Sequence, residues 1–342
     1  MRTPKFDNLL AILRRELPDR PTLFEFALNE RLYKRLAGAV YTDSPNLLRH
    51  YRMLVAAFLK TGYDYVAIKG SLFAFETGKR DQDRTISLNQ NPLITDRKSF
   101  DAYRWRDPDD FDYSALKQIA PDLPKGMRLI AYDPCGVLEN VIMIVGYDNL
   151  CKLLYDDSLL VADMFENVGK RLVRHYEKCL SYEAVGACMS GDDWGFKTQT
   201  MLSLKDMRKY VFPWHKRIVE TIHAAGRPAI LHSCGKADEI MDDIIVDLRY
   251  DGKHSFEDVI MPVEKAYLKW GRRIAILGGI DLDFICRSLP ETIRRRADAM
   301  LQLSSKTGGY ALGTGNSVPE YLDDEKYFAL IGAATGQSYE SA

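Results

Sequence analysis

The sequence predicts an α/β fold, specifically a (β/α)8 TIM barrel, and three observations carry that expectation. Short β-rich runs, each entering a Gly, Asp or Pro turn, alternate with long helical patterns, as in βα units around a parallel sheet. Eight such runs can be counted along the chain. At 342 residues the chain suits one barrel with added helices, so a single domain over 1–342 is expected.

The eight runs are Thr22–Phe26, Tyr65–Lys69, Arg128–Tyr132, Val185–Ser190, Ala229–His232, Gly252–Ser255, Arg273–Leu277 and Gly309–Leu312. Before and between the first two, Leu9–Leu17 and Ser44–Lys60 read as an N-terminal helical layer, with 1–20 as a helical extension. Asp157 to Ser181 reads as one long helix. Ser203 to Ala225 opens on Ser-Leu-Lys-Asp, close to a capping box, and stops at Gly226; Pro213 inside it predicts a kink or two abutting helices. Pro290 to Ser304 starts with Pro in the first turn and ends before Gly308. The stretch 78–121 is polar and without a helical or strand period, so it is expected as an insertion over the barrel mouth: a lid, a binding loop or a contact that would make a homodimer.

Basic and acidic residues nearly cancel, 47 against 48, and no basic run exceeds Arg294-Arg295-Arg296. That balance argues against a nucleic-acid partner and for a small molecule or a protein. The opening residues alternate charged and apolar positions, with no apolar stretch leading to a small-residue cleavage site. Apolar runs fall short of the ~20 residues a membrane helix requires, so a cytoplasmic protein with no membrane partner is expected. The six cysteines contain no C-x-x-C pair and read as reduced thiols. Cys151, Cys179 and Cys286 lie in apolar helical stretches and suit core positions, whereas Cys234 does not.

In a barrel, the residues just past each strand converge on one mouth. After Ala229–Leu231 comes His232-Ser233-Cys234-Gly235. A His and a Cys two residues apart on extended chain point the same way, and imidazole with thiolate suits Zn²⁺; the alternative is a buried His beside a small core Cys. Past Val185–Ser190 lie Asp192-Asp193-Trp194-Gly195, adjacent carboxylates able to bind metal or transfer protons, or else to cap a helix with Trp194 packed on its shoulder. Past Gly252 come His254, Glu257 and Asp258, which equally suit an acidic helix start. The last run enters Gly313-Thr314-Gly315-Asn316, whose glycines let backbone approach a ligand. Lys69 and Asp133 end earlier strands and can bind an anion or donate a proton. His50, His175, His215 and His223 fall in helical patterns and read as structural.

In this order the motifs resemble the uroporphyrinogen decarboxylase superfamily, which also holds zinc-dependent, corrinoid-linked methyltransferases. Arg20-Pro21-Thr22 resembles its opening strand, and Pro134-Cys135-Gly136-Val137-Leu138-Glu139 with Val145-Gly146-Tyr147 its third-strand region. Asp192-Asp193-Trp194-Gly195, Phe212-Pro213-Trp214-His215-Lys216, His232-Ser233-Cys234-Gly235, Leu277-Gly278-Gly279-Ile280-Asp281 and Gly313-Thr314-Gly315 follow. True decarboxylases carry Met-Arg-Gln-Ala-Gly-Arg after the first strand, whose arginines hold substrate propionates. Here the stretch reads Phe24 to Arg31, with Glu25 and Glu30 in it, which disfavours a polycarboxylate porphyrinogen. Decarboxylases also have Gly-His-Gly where this chain has Gly313-Thr314-Gly315.

The methyltransferase branch holds zinc with His-x-Cys and a distant Cys in a Gly-Cys-Gly turn. The resemblance therefore implies His232 and Cys234 as ligands, but Thr314 stands where the second Cys would be. A third ligand is expected from His254, Glu257 or Asp258. From their places past the strands, Asp192, Asp193, His254 and Glu257 are expected as catalytic residues. Glu25, Lys69, Trp194, Gly313, Thr314 and Asn316 are expected to bind substrate or cofactor. No cobalamin-binding Asp-x-His-x-x-Gly segment is present, so cobalamin is expected on a separate corrinoid protein. A decarboxylase of another carboxylate, using Asp192 or Asp193, and a non-catalytic binding protein on the same scaffold are the alternatives.

Overall fold

A computed structural model of the chain describes residues 2–78, 88–89 and 91–337. Seven strands form one parallel sheet in sequence order: β1 Tyr65–Lys69, β2 Arg128–Tyr132, β3 Val185–Gly191, β4 Ala229–His232, β5 Gly252–His254, β6 Ala275–Leu277 and β7 Tyr310–Ala311. Their Val, Ile, Leu and Ala side chains, among them Val66, Ile130, Val185, Leu231 and Ile276, are buried. Near-continuous apolar runs of this kind mark strands covered on both faces.

Thr22–Phe26, expected as a strand, is instead joined to the sheet by a single bridge. Leu23 pairs in parallel with Leu312, beyond β7, and Phe24 N–H and Leu312 N–H donate across at 2.8 Å. On its other side the segment meets β1 through a side chain: the Tyr65 hydroxyl accepts from Glu25 N–H and donates to Glu25 C=O, both at 2.6 Å. That phenol satisfies both backbone groups of Glu25, and among the described residues the curled sheet has seven hydrogen-bonded strands rather than the expected eight. Gly313 permits the close approach, since a Cβ there would lie 1.7 Å from Phe24 O.

Several helices follow the predicted pattern, but the one expected over Leu9–Leu17 runs Asp7–Leu13, ahead of Arg15 at φ +61°, and the 78–121 stretch holds short helices at Arg97–Ala102 and Ala115–Gln118. Ser158–Leu180 is capped by Asp157, whose side chain accepts from Leu160 N–H, and Pro290–Ser304 has the bounds read from sequence. Pro213 acts as expected: helices Leu204–Asp206 and Phe212–Ala224 are joined by a π-helical turn, Met207–Val211. A proline lacks the N–H and crowds the carbonyl four residues back, and the wider turn absorbs both. At the N-terminal end of the sheet, helix Asp7–Leu13 plugs the bottom, with Phe6 N–H donating to Gly126 O at 2.8 Å.

Within the 78–121 insertion, residues 79–87 and 90 lie outside the described residues. The described remainder packs along helix Ser158–Leu180: Arg97 pairs with Asp163 at 2.6 Å, Arg174 with Asp109 at 2.9 Å, and the Tyr113 hydroxyl meets His175 Nδ1 at 2.8 Å. Leu88 and Asn89 accept from the start of helix Tyr147–Asp156. Among the described residues no helix is long and apolar enough to cross a membrane.

Candidate metal centre and active site

Sheet register builds the site. His232 ends β4, level with Gly191 of β3 and with His254 of β5. Residues level on neighbouring parallel strands project to the same side, so the two imidazoles stand together with ring centroids 4.9 Å apart. Cys234 follows two residues after His232, and Asp193 two residues past the end of β3. Their loops touch backbone to backbone: Gly235, at φ +80°, has no room for a Cβ, which would sit 1.9 Å from Gly195 O. Lys236 N–H then donates to Phe196 O, and Cys234 N–H to Asp193 Oδ1, both at 2.8 Å. This contact carries Asp193 to the His-x-Cys pair.

The ligand atoms of Asp193, His232 and Cys234 lie within 4.8 Å of one another. Cys234 Sγ is 3.8 Å from His232 Nε2. The histidine tautomers follow from hydrogen-bond partners. His254 Nε2 faces the Thr314 carbonyl at 3.2 Å, an acceptor only, so Nε2 carries the proton and Nδ1 is bare. His232 Nδ1, 2.8 Å from that bare nitrogen, must be the donor, which leaves His232 Nε2 with a free lone pair on the side of Cys234. Both rings are neutral: burial, above all, pushes His254 down to about 3 and His232 well below its usual value. A bare imidazole nitrogen oriented by a hydrogen bond on the other is what a metal ligand requires. Burial, followed by the Asp193 charge, pushes the Cys234 thiol up to about 12 in the metal-free chain.

The third donor in this cluster is Asp193, whereas His254, Glu257 and Asp258 were the expected candidates. His254 has both nitrogens engaged. Asp258 is held by Arg296 at 2.6 and 2.8 Å, and Glu257 lines a separate small cavity with Asp238 and the buried Lys253. Asp193, read from sequence as one of two carboxylates able to bind metal or transfer protons, is the carboxylate in the cluster.

Asp192 has a different fate from its neighbour. Fully buried, it accepts from Leu138 N–H and Glu139 N–H at 2.9 Å, at the start of helix Val137–Val145, and meets His215 Nε2 at 2.8 Å. It clamps a helix N-terminus and has no oxygen free for substrate. Trp194 is likewise core, packed on Phe212 and edge-on against His215, and Lys69 is exposed at the end of β1. Thr314 and Glu25 are fully buried: the Thr314 hydroxyl is 2.6 Å from Glu25 Oε1, and Thr314 N–H donates to Glu25 Oε2 at 3.2 Å. Asn316 Nδ2 donates to Cys234 Sγ at 3.1 Å.

Two further acids border the centre. Asp133 accepts from Ser190 Oγ and Gly191 N–H, and burial pushes it up to about 8. Glu139 is pushed up to about 9 by burial, then by Asp192, Asp193 and Asp133. Sequence reading missed Glu139 because an acid in the first turn of a helix is ordinary. Lys253 was missed as well: its ammonium donates to Ser233 O and Ser255 O and lies over the Phe256 ring, and burial pushes it down to about 8.

The fold is similar to that of a methyltransferase from Methanosarcina mazei, with a TM-score of 0.71 at 14% identity over 98% of this chain and 99% of that one. Fainter likenesses are to a β-L-arabinopyranosidase from Geobacillus stearothermophilus (TM-score 0.44, 11% identity, 94% and 76% of the two chains) and a chitinase from Chromobacterium violaceum (0.38, 10%, 86% and 98%). No curated protein matches the sequence. The uroporphyrinogen decarboxylase (URO-D) family model matches residues 83–336, a stretch holding Asp193, His232 and Cys234, and the chain belongs to that family.

Proposed function

We propose that this chain is a zinc-dependent methyltransferase that moves a methyl group between a small molecule and a cobalamin carried on a separate corrinoid protein. The observation that supports this reading most is the approach of Asp193, His232 and Cys234 within 4.8 Å. One oxygen, one nitrogen and one sulfur donor make three protein ligands, the set a catalytic zinc site uses while keeping a position for substrate. The fold shared with a Methanosarcina mazei methyltransferase points the same way.

Zinc bound there would act as a Lewis acid, stabilising the anionic form of a substrate sulfur, oxygen or nitrogen. The protein's part is to supply the charge and shape of the site. Thr314 is neutral where the resembling methyltransferases place a Cys, and Asp193 restores the lost negative charge from a neighbouring strand. With Cys234 ionised, the ligand shell again carries two negative charges. Because the buried thiol holds its proton so firmly in the metal-free chain, metal uptake releases that proton. A decarboxylase reading that uses Asp192 is less well supported, since both of its oxygens are engaged by helix amides and His215.

Elemental analysis of protein purified without chelator is expected to give about one zinc per chain. Cys234→Ala is expected to lose that zinc and methyl transfer to a corrinoid protein, with circular dichroism unchanged. Metal-free wild-type protein would remove the zinc reading.

A further inference from the structure

Thr314 occupies the position where a ligand was expected, and it binds in four directions at once. Its carbonyl accepts from His254 Nε2 at 3.2 Å and from Gly279 N–H at 2.8 Å, which uses both lone pairs. Its N–H donates to Glu25 Oε2. Its hydroxyl contacts both the Asn316 carbonyl and Glu25 Oε1.

Counting hydrogens settles the last pair. A hydroxyl has one hydrogen, and the Asn316 carbonyl can only accept, so the Thr314 hydrogen goes there. The 2.6 Å contact to Glu25 Oε1 then needs a hydrogen from the other side, and only a protonated carboxyl supplies one. Glu25 Oε2 remains the acceptor for Thr314 N–H, so the neutral acid satisfies every group in the chain of bonds. Burial, which pushes Glu25 up to about 8, acts in the same direction.

The two ends of this network reach the two ligands of the His-x-Cys pair. Through its carbonyl, Thr314 fixes the His254 tautomer, and His254 fixes that of His232. Through its hydroxyl it pins the Asn316 backbone. The Asn316 side chain, its Oδ1 accepting from Ser317 N–H at 2.7 Å, turns its amide hydrogens on Cys234 Sγ at 3.1 Å.

We propose that Thr314 is the positioning hub of the centre, with Glu25 as its neutral-acid anchor: one network holds His232 with a bare Nε2 and Asn316 with its amide on the Cys234 sulfur. Neither Thr314 nor Glu25 is among the clustered donors, and both are fully buried, so both act through other residues. The relevance of this network to metal binding rests on the zinc reading above, whereas its protonation pattern does not.

The test has two arms. In metal-free protein at pH 6.5, ¹³C NMR of labelled glutamate, assigned by loss of the signal in Glu25→Gln, is expected to place the Glu25 carboxyl at the shift of a neutral acid. Long-range ¹H–¹⁵N spectra are expected to show His254 protonated on Nε2 and His232 on Nδ1. An ionised Glu25, or the opposite tautomers, overturns the proposal whether or not metal binds. In the second arm, Co²⁺ titration reads affinity and the thiolate-to-cobalt absorption band. Glu25→Gln, whose amide reproduces one donor and one acceptor, is expected to bind Co²⁺ within about threefold of wild type. Glu25→Ala and Thr314→Val are expected to lose roughly tenfold or more and to shift the band, with Thr314→Ser restoring both. Equal loss in Glu25→Gln and Glu25→Ala, or wild-type behaviour of Thr314→Val, overturns it. Wild-type protein that takes up no Co²⁺ defeats the metal reading instead, and the first arm still decides the network.

Discussion

His232 and His254 meet Nδ1 to Nδ1 at 2.8 Å, on the ends of adjacent parallel strands, and only one of the two facing nitrogens carries a hydrogen. The donor is His232, because His254 spends its own hydrogen on the Thr314 carbonyl. Under the proposed metal reading His254 orients His232, and removing it is expected to free the His232 ring to take either tautomer.

His254→Ala is accordingly expected to weaken metal binding by roughly 10–100-fold without removing any ligand. Competition with a chromophoric chelator measures this. Loss of stoichiometry, rather than of affinity, would instead make His254 a ligand.

The adjacent aspartates are expected to separate cleanly. Asp192→Ala leaves two helix amides and His215 without their buried partner, and should cost about 3 kcal/mol of stability in urea unfolding. Asp193→Ala removes a half-buried proposed ligand, and should cost about 1 kcal/mol or less while abolishing tight metal binding. Reversed phenotypes would exchange the roles assigned to them.

Glu25 makes stability fall as pH rises. Burial pushes its folded carboxyl up to about 8 from an ordinary 4.5. Between those values the folded state keeps a proton that the unfolded chain has released, so its stabilising contribution is complete below 4.5 and lost progressively up to 8. Asp133 and Glu139, raised for the same reason, act with the same sign but are shared by wild type and Glu25→Gln. The stability of wild type relative to Glu25→Gln should therefore drop by on the order of 3–4 kcal/mol from pH 5 to pH 8. A flat difference in urea midpoints over that range would show that Glu25 titrates normally.

Much of this molecule was determined by local sequence. Apolar runs bounded by turn residues located the strands of the sheet, and the bounds of Pro290–Ser304 and the break at Pro213 follow from the backbone chemistry of proline. His232-Ser233-Cys234-Gly235 could be picked out because two-residue periodicity puts its imidazole and thiol on one side of an extended chain. What pattern could not decide were contacts between loops far apart in sequence. Asp192 and Asp193 look alike in the chain. Whether each faces a helix N-terminus or a thiol depends on how the β3 loop lies on its neighbours, which the Gly195 to Gly235 contact sets. Glu25 and Thr314 lie 289 positions apart and become partners only because the sheet curls round to place the first segment beside the last strand. Hydrogen bonds and ligand shells need atoms within about 3 Å of each other, and at that scale the placement comes from packing of the whole sheet.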